Sequence, residues 1–454
     1  MRPQWENGRG VAKRIFIECD LVLDSPTHIG NGEGDLIDMP LLLHEGDKLP
    51  LLMGSSVAGA LRSYLVQAGL EKAADSLFGK GTDDSSCPSR VIVDDSFGSL
   101  PKGCATELRD GVAISLETKT AIDKAKFDIE LLPAGTVFPL SFELLVMDNE
   151  DKDIDYFAAA LKALKEGKIS IGMRKRRGYG RCCADKWRVY VYDMATPEGL
   201  IGWLERDKSK PQGGEDITEM MGAKPVYIDM KRFTMTATFK IDSSMLIRWQ
   251  GMDKNAPDAV HIHSHREGRD AGDVPVLSGT SLGGALRARA YNIVNTLGIS
   301  CKIVNDIFGS PWDVRDKHYA SRLWVDESEI KESKDMVQNR IKIDRFTGGA
   351  YPHALFNEQP VYGGEVIIKL ALDKPEDIEV GLLLLLLKDL WTSDLALGGG
   401  SSIGRGRMKG IDAKLDYIDK GTWTIKESKN GLDVIGKADE LEDFVSALAK
   451  EARK

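Results

Sequence analysis

The chain lacks the marks of a secreted or membrane protein. No N-terminal stretch has the basic, then apolar, then small-residue layout of a secretory signal. Its longest apolar run, Val380 to Leu387, is broken by Gly381 and falls far short of the ~20 residues that span a bilayer. Cysteines number six in 454 residues, and none has metal-ligand spacing; Cys182 and Cys183 are adjacent. Free thiols in a reduced, cytoplasmic setting are the expectation, with no membrane partner. No Gly-Lys-Ser/Thr triplet follows the glycines at 54 and 279, which excludes a nucleotide-hydrolysing P-loop. Net positive charge is also missing: the formal charge is −9. That figure describes the whole surface, whereas phosphate is held by local cations, so nucleic acid stays admissible wherever Lys and Arg cluster.

What is present is a duplication. Asp24-Ser25 and Asp242-Ser243 close two matching stretches, 13–30 and 231–248, which open on Lys13-Arg14 and Lys231-Arg232. GSSVAGALR at 54–62 returns as GTSLGGALR at 279–287, and SRVIVDDS at 89–96 as SRLWVDES at 321–328. TKTAIDKAKF at 118–127 returns as TGGAYPHALF at 347–356, and Gly180-Arg181 as Gly406-Arg407. The offset is 218 at Asp24, 225 at Gly54, 232 at Ser89 and 226 at Gly180. Preserved order with a drifting offset means a duplicated unit with loop insertions. It divides the chain into repeats at 10–195 and 228–420, a polar linker at 196–227, and a tail at 421–454 whose Leu441, Phe444, Val445 and Leu448 predict a closing helix.

Each repeat alternates elements. Phe16 to Leu23 and Phe233 to Ile241 have strand character. Val57, Leu61 and Leu65, like Leu282, Leu286 and Ala290, recur every fourth position and predict buried helix stripes, with Ser55 or Ser56 as N-cap in the first repeat. Thr136 to Val146 reads as a long strand, 157–166 as a second helix and Cys183 to Tyr192 as a last strand; Glu365 to Leu372, Leu382 to Trp391 and Met408 to Tyr417 mirror them. Strand, helix, strand, strand, helix, strand is the ferredoxin-like (RRM-like, βαββαβ) order, so the fold class is α+β with two such domains in tandem.

Two features recur in both halves and carry candidate chemistry. Small hydroxyl residues at the helix starts, Ser55 and Ser56, Thr280 and Ser281, expose backbone N–H groups where the dipole favours an anion, with Arg62 and Arg287 two turns in. A helix cap packed on a sheet gives the same pattern. The terminal loops, 172–181 and 398–407, combine glycines with Arg174, Arg176, Arg177 and Arg181, or with Arg405 and Arg407. Glycine lets a backbone approach phosphate and arginine grips it in a fork, while Tyr179 offers a ring for base stacking. An ordinary turn with exposed cations is the competing reading. His261, His263 and His265 alternate along one strand face, a polar face or a metal set.

The paired Gly-Ser-Ser…Leu-Arg helix start, the Asp-Met-Pro segment at 38–40 before it and the Gly-rich loop near the end of each repeat resemble the RAMP superfamily of CRISPR proteins. More narrowly they resemble the backbone subunit of type III effectors, in a two-copy, type III-D-like fusion. That resemblance implies a β-hairpin thumb inserted in each domain, here at 117–133 with Thr118, Thr120 and Phe127, and at 344–360 with Thr347 and Phe356. It implies binding of CRISPR RNA and of complementary target RNA alongside other type III effector subunits. It also implies a metal-dependent endoribonuclease, with an Asp beside each thumb that cuts the target using Mg²⁺ or Mn²⁺ held there only with RNA present. The matching residues are Asp38 and, across a hairpin five residues longer, Asp258; Asp35 and Asp253 are the substitutes. A non-catalytic guide-binding scaffold and a guide-processing ribonuclease of the same superfamily are the competing functions.

Overall fold

The computed structural model describes residues 10–32, 37–80, 88–115, 118, 120–147, 152–228, 230–249, 256–267, 272–311, 318–428 and 431–452. The first repeat runs β1 (Val11–Leu23), α1 (Gly54–Gln67), α2 (Glu71–Phe78), β2 (Val91–Val93), β3 (Glu107–Ile114), β4 (Ala121–Leu131), β5 (Val137–Met147), α3 (Lys152–Lys165) and β6 (Cys182–Asp193). Its sheet has the order β2-β5-β1-β6 and is antiparallel throughout. Every second residue of β5 from Phe138 to Val146 is buried, the period-2 signature of a sheet with one face on a core. Onto that face pack Val57, Leu61 and Leu65 of α1 and Phe157, Leu161 and Leu164 of α3. Phe142 and Phe157 meet edge to face at 6.0 Å.

The second repeat runs β7 (Arg232–Ile241), β8 (Ala259–His261), β9 (His263–Arg266), β10 (Gly272–Leu277), α4 (Gly279–Leu297), α5 (Lys302–Phe308), β11 (Leu323–Val325), β12 (Ser328–Lys331), β13 (Gln338–Ile343), β14 (Ala350–Gln359), β15 (Glu365–Asp373), α6 (Asp377–Trp391) and β16 (Met408–Tyr417). The corresponding strands repeat the order, β11-β15-β7-β16, with β12 also on β15. Two further strands, β17 (Gly421–Ser428) and β18 (Gly431–Ile435), extend this sheet past β16, and α7 (Ala438–Glu451) buries Phe444 and Leu448. The closing helix follows the predicted spacing. The two strands before it have no counterpart in the first half, so the repeat does not announce them.

Packing does not follow the repeat boundary. One compact unit draws on the chain up to Leu108, on Ile129–Met173 and on Gly180–Asp229; the other draws on Arg109–Asp128, Arg174–Tyr179 and the chain from Met230 onward. The tip of the first hairpin and the first Arg-rich turn thus count in the second unit. The linker is not plain coil. Thr196 caps Pro197–Leu204, Asp216 caps Ile217–Met220, and Ile217 and Met221 enter the core of the first unit. The helix expected at 157–166 starts at Lys152, with Asp153 and Asp155 in its first turn and Lys162 and Lys165 in its last, each favourable to the dipole. The two hairpins begin ahead of the expected spans, at Glu107 and Gln338. No helix among the described residues is long and apolar enough to cross a membrane.

Candidate nucleic-acid interface

Strand register places the two aspartates at equivalent points. Met39 bridges Ile129 in parallel, and Ala259 pairs with Glu358 in parallel. Ile129 and Glu358 each stand two residues past the matched Phe127 and Phe356, so Met39 corresponds to Ala259 and Asp38 to Asp258 despite the five-residue insertion. Both aspartates are exposed. The Asp258 N–H donates to Asn357 Oδ1 at 2.8 Å, and the Asn357 N–H donates to Asp258 Oδ2 at 2.9 Å, a reciprocal clamp on the hairpin's return strand. Around the Asp38 segment, Glu130 does the fixing. Its N–H donates to Met39 O, its carboxylate accepts from the Leu41 N–H (3.1 Å) and the Thr106 hydroxyl (2.8 Å), and its carbonyl accepts from His28 Nδ1. Asp35 and Asp253 lie outside the described residues.

The helix starts are more occupied than the sequence implies. The N-cap of α1 is Met53, not Ser55 or Ser56; both serines are exposed in the first turn, and the Gly54 N–H donates to Asp95 Oδ1 at 2.7 Å. Arg62 is paired with Asp75 at 2.7 Å. In the second repeat Ser278 caps α4 by accepting from the Ser281 N–H, with Thr280 and Ser281 hydroxyls bonded to it. Arg287 donates to Gly309 O at 3.1 Å and lies near Tyr291 and Asn305. These are structural roles, and they leave the exposed Ser55 and Ser56 as the open part of the feature.

The Arg-rich turn 174–179 is largely consumed by bonds within the protein. Arg176 pairs with Asp373 at 2.9 Å, donates to Arg322 O and lies 4.3 Å from the Trp324 ring centre. Arg177 rests on α4, where Gly283 and Gly279 leave room for it, and burial, with Arg287 and Arg174 nearby, lowers its pKa. Arg174 lies 4.2 Å over the Phe127 ring, so that ring is a partner of an arginine and not a bare wedge. Tyr179 is buried, with Arg109 beside it, and cannot offer its ring for base stacking. Arg405 is buried too, bonded to Glu358 at 2.8 Å and to Gln338 at 2.6 Å, which overturns its reading as an exposed RNA contact. Spacing along the chain carries no sign of these ion-pair partners, because they lie 47 to 197 residues away.

Other predicted residues do face solvent. Arg407 is exposed, while Arg181 is half-buried and accepts the Asp24 and Ser25 N–H groups on its carbonyl. Thr118 and Thr120 share a hydrogen bond at the exposed hairpin tip, and Thr347 donates to Asp344 at 2.8 Å in the second. The second hairpin also exposes Ile341, Ile343, Tyr351, Leu355 and Phe356, with Phe346 at 99% exposure. Among these only Phe356 is a sequence candidate.

The three histidines do not share a role. His261 is buried: the Ile247 N–H donates to its Nδ1 at 3.2 Å, so Nε2 carries the proton given to Val276 O at 2.9 Å. His263 and His265 lie near Asp335, Glu267 and Asp273 at 3.5–3.7 Å. Among the described residues no three His, Cys, Asp or Glu side chains group to hold a metal ion. Asp38 and Asp258 belong to no such group among the described residues.

The family model of the RAMP superfamily matches residues 20–183 and 258–409, one region in each repeat. No curated protein matches the chain.

Proposed function

Since the chain belongs to the RAMP superfamily, with one matched region per repeat, we propose that it is a CRISPR RNA-guided effector subunit of the type III backbone kind, two copies fused. In this reading each half is a ferredoxin-like domain with its hairpin as a thumb. CRISPR RNA and complementary target RNA run past both hairpins, and the target is cut beside Asp38 and beside Asp258. The observation that carries the proposal is the shared register. In both repeats an exposed Asp immediately precedes a residue paired in parallel with the hairpin's return strand. Two similar carboxylates on one polymer track call for a repeated reaction.

Each carboxylate would accept the proton of the attacking hydroxyl, a ribose 2′-hydroxyl or a water, as oxygen attacks phosphorus and the 5′-oxygen leaves. Cations nearby would offset the charge that grows on the phosphorane. The protein alone offers no cage for a divalent ion among its described residues. The Mg²⁺ or Mn²⁺ of this reading would draw most of its ligands from RNA phosphate and water, as magnesium does readily.

The test is a target-cleavage gel with the assembled guide complex, using Asp38→Ala and Asp258→Ala separately and together. Loss of one cut per single variant, and of both on adding EDTA, supports the proposal; an unchanged cut pattern ends the catalytic part of it. One observation favours a scaffold role for the second repeat: the Asp258 carboxylate already accepts the Asn357 N–H, as an ordinary turn residue does.

A further inference from the structure

The two repeats differ in charge beside the equivalent aspartates. In the second, Glu358 is buried and surrounded by three guanidinium groups: Arg405 at 2.8 Å, Arg248 at 3.2 Å and Arg340 at 3.2 Å. One carboxylate neutralises one cation. Arg405, itself buried and further bonded to Gln338, is the natural partner, because a buried cation needs full pairing. Arg248 and Arg340 are then in surplus, and their side chains are 64% and 31% exposed. Gly399 backs Arg248: a Cβ there would lie 3.4 Å from Arg248 Nε. Glu358 directly follows Asn357, the residue that clamps Asp258.

The first repeat has none of this. Gly30 stands at the Arg248 position, Ile129 at the Glu358 position and Tyr179 at the Arg405 position. Gly30 has no room for a side chain, since a Cβ would fall 2.5 Å from His28 Nε2. Ile129 and Tyr179 are buried. Three positions that differ together, from glycine, isoleucine and tyrosine to arginine, glutamate and arginine, make one substituted device.

We propose that Arg248 and Arg340, braced on Glu358 and Arg405, form an anion seat for an RNA phosphodiester beside Asp258, a seat absent beside Asp38. The inference rests on the RNA-binding reading above and deepens it by making the two centres unequal. A planar guanidinium held at one edge by a carboxylate keeps its other N–H groups in a fixed fork, which suits a phosphate. The surplus charge lowers the free energy of a bound phosphate in the second repeat alone.

The experiment uses the full chain and a fluorescein-labelled single-stranded RNA oligonucleotide, read by anisotropy across a salt series. Arg248→Gln/Arg340→Gln is compared with the wild type and with Lys437→Gln, a tail lysine of 82% side-chain exposure. The expected result is about tenfold weaker binding for the double variant, as removal of charge-assisted bonds implies. Its log–log salt slope should fall by about 1.4, roughly 0.7 for each phosphate no longer neutralised, with Lys437→Gln unchanged. Arg248→Gln alone carries the same test should the double variant melt early. Wild-type affinity and slope in the arginine variants would overturn the seat while leaving the functional reading intact. A wild-type chain that binds no RNA would overturn that reading and the seat with it.

Discussion

Arg109 and Glu327, 218 residues apart, form a two-pronged ion pair with both side chains buried, and Arg266 completes the grip on Glu327 at 2.7 Å. Burial alone would raise the Glu327 pKa, but the two arginines outweigh it and hold the carboxyl below its usual range. Glu327→Gln leaves buried Arg109 and half-buried Arg266 short of a counter-charge, at a cost of about 3–5 kcal/mol. At about 2–4 °C per kcal/mol for a unit of this size, Tm should drop by roughly 10 °C in differential scanning calorimetry. A drop of a degree or less would mean that solvent reaches the pair.

Glycines in α4 separate close approach from mere tolerance. A Cβ on Gly279 would collide with the carbonyls of Arg177 and Val325, both backbone, whereas one on Gly284 meets nothing within 4 Å. Gly279→Ala should cost about 1–3 kcal/mol, as overpacking does. Gly284→Ala should stabilise by about 0.5–1 kcal/mol through helix propensity. Urea melts of the two variants give opposite signs if the packing is as described.

His261 makes stability depend on pH. Burial, ahead of other causes, lowers its pKa from the ordinary 6.5 to about 4. The unfolded chain therefore binds the extra proton between about pH 6.5 and pH 4, and stability falls as pH drops through that window. Linkage gives a loss of about 2 kcal/mol at pH 5 relative to pH 7 from this residue. Denaturant melts of the wild type and His261→Gln at the two pH values should differ by that amount; parallel curves would remove His261 from the account.

The proposed catalysis by the aspartates has a size as well as a sign. Removing a general base costs about 10²–10⁴ in rate. Asp38→Ala should slow its own cut by about that factor and leave the other within a few-fold, with the mirror result for Asp258→Ala. Single-turnover rates at each cut, measured on end-labelled target, decide the matter.

The repeat, the sheet strands and the α1 and α4 stripes are legible in the sequence because burial with a fixed period writes itself into local residue order. The equivalence of Asp38 and Asp258 is legible too, although only register with Ile129 and Glu358 aligns them across the insertion. What is illegible is how arginine charge is used. Arg176, Tyr179 and Arg405 stand in loops rich in Gly and Arg, where composition suggests phosphate. Their partners Asp373, Arg109 and Glu358 are remote in the chain, and no local pattern announces an ion pair or a cation–ring contact that closes over such a separation. The hairpin starts escape the sequence because β3 and β13 carry little alternation between buried and exposed positions.

Arg109–Asp128 and Arg174–Tyr179 belong by descent to the first repeat and by packing to the second unit. A cut in the 196–227 linker would therefore not return two ancestors. The second piece would keep Glu327 with Arg266 but without Arg109, and Gly283 would face an empty place where Arg177 now rests. The join between the copies has become a dependency: what one gene duplication brought together, a simple gene fission could no longer separate into two self-sufficient proteins.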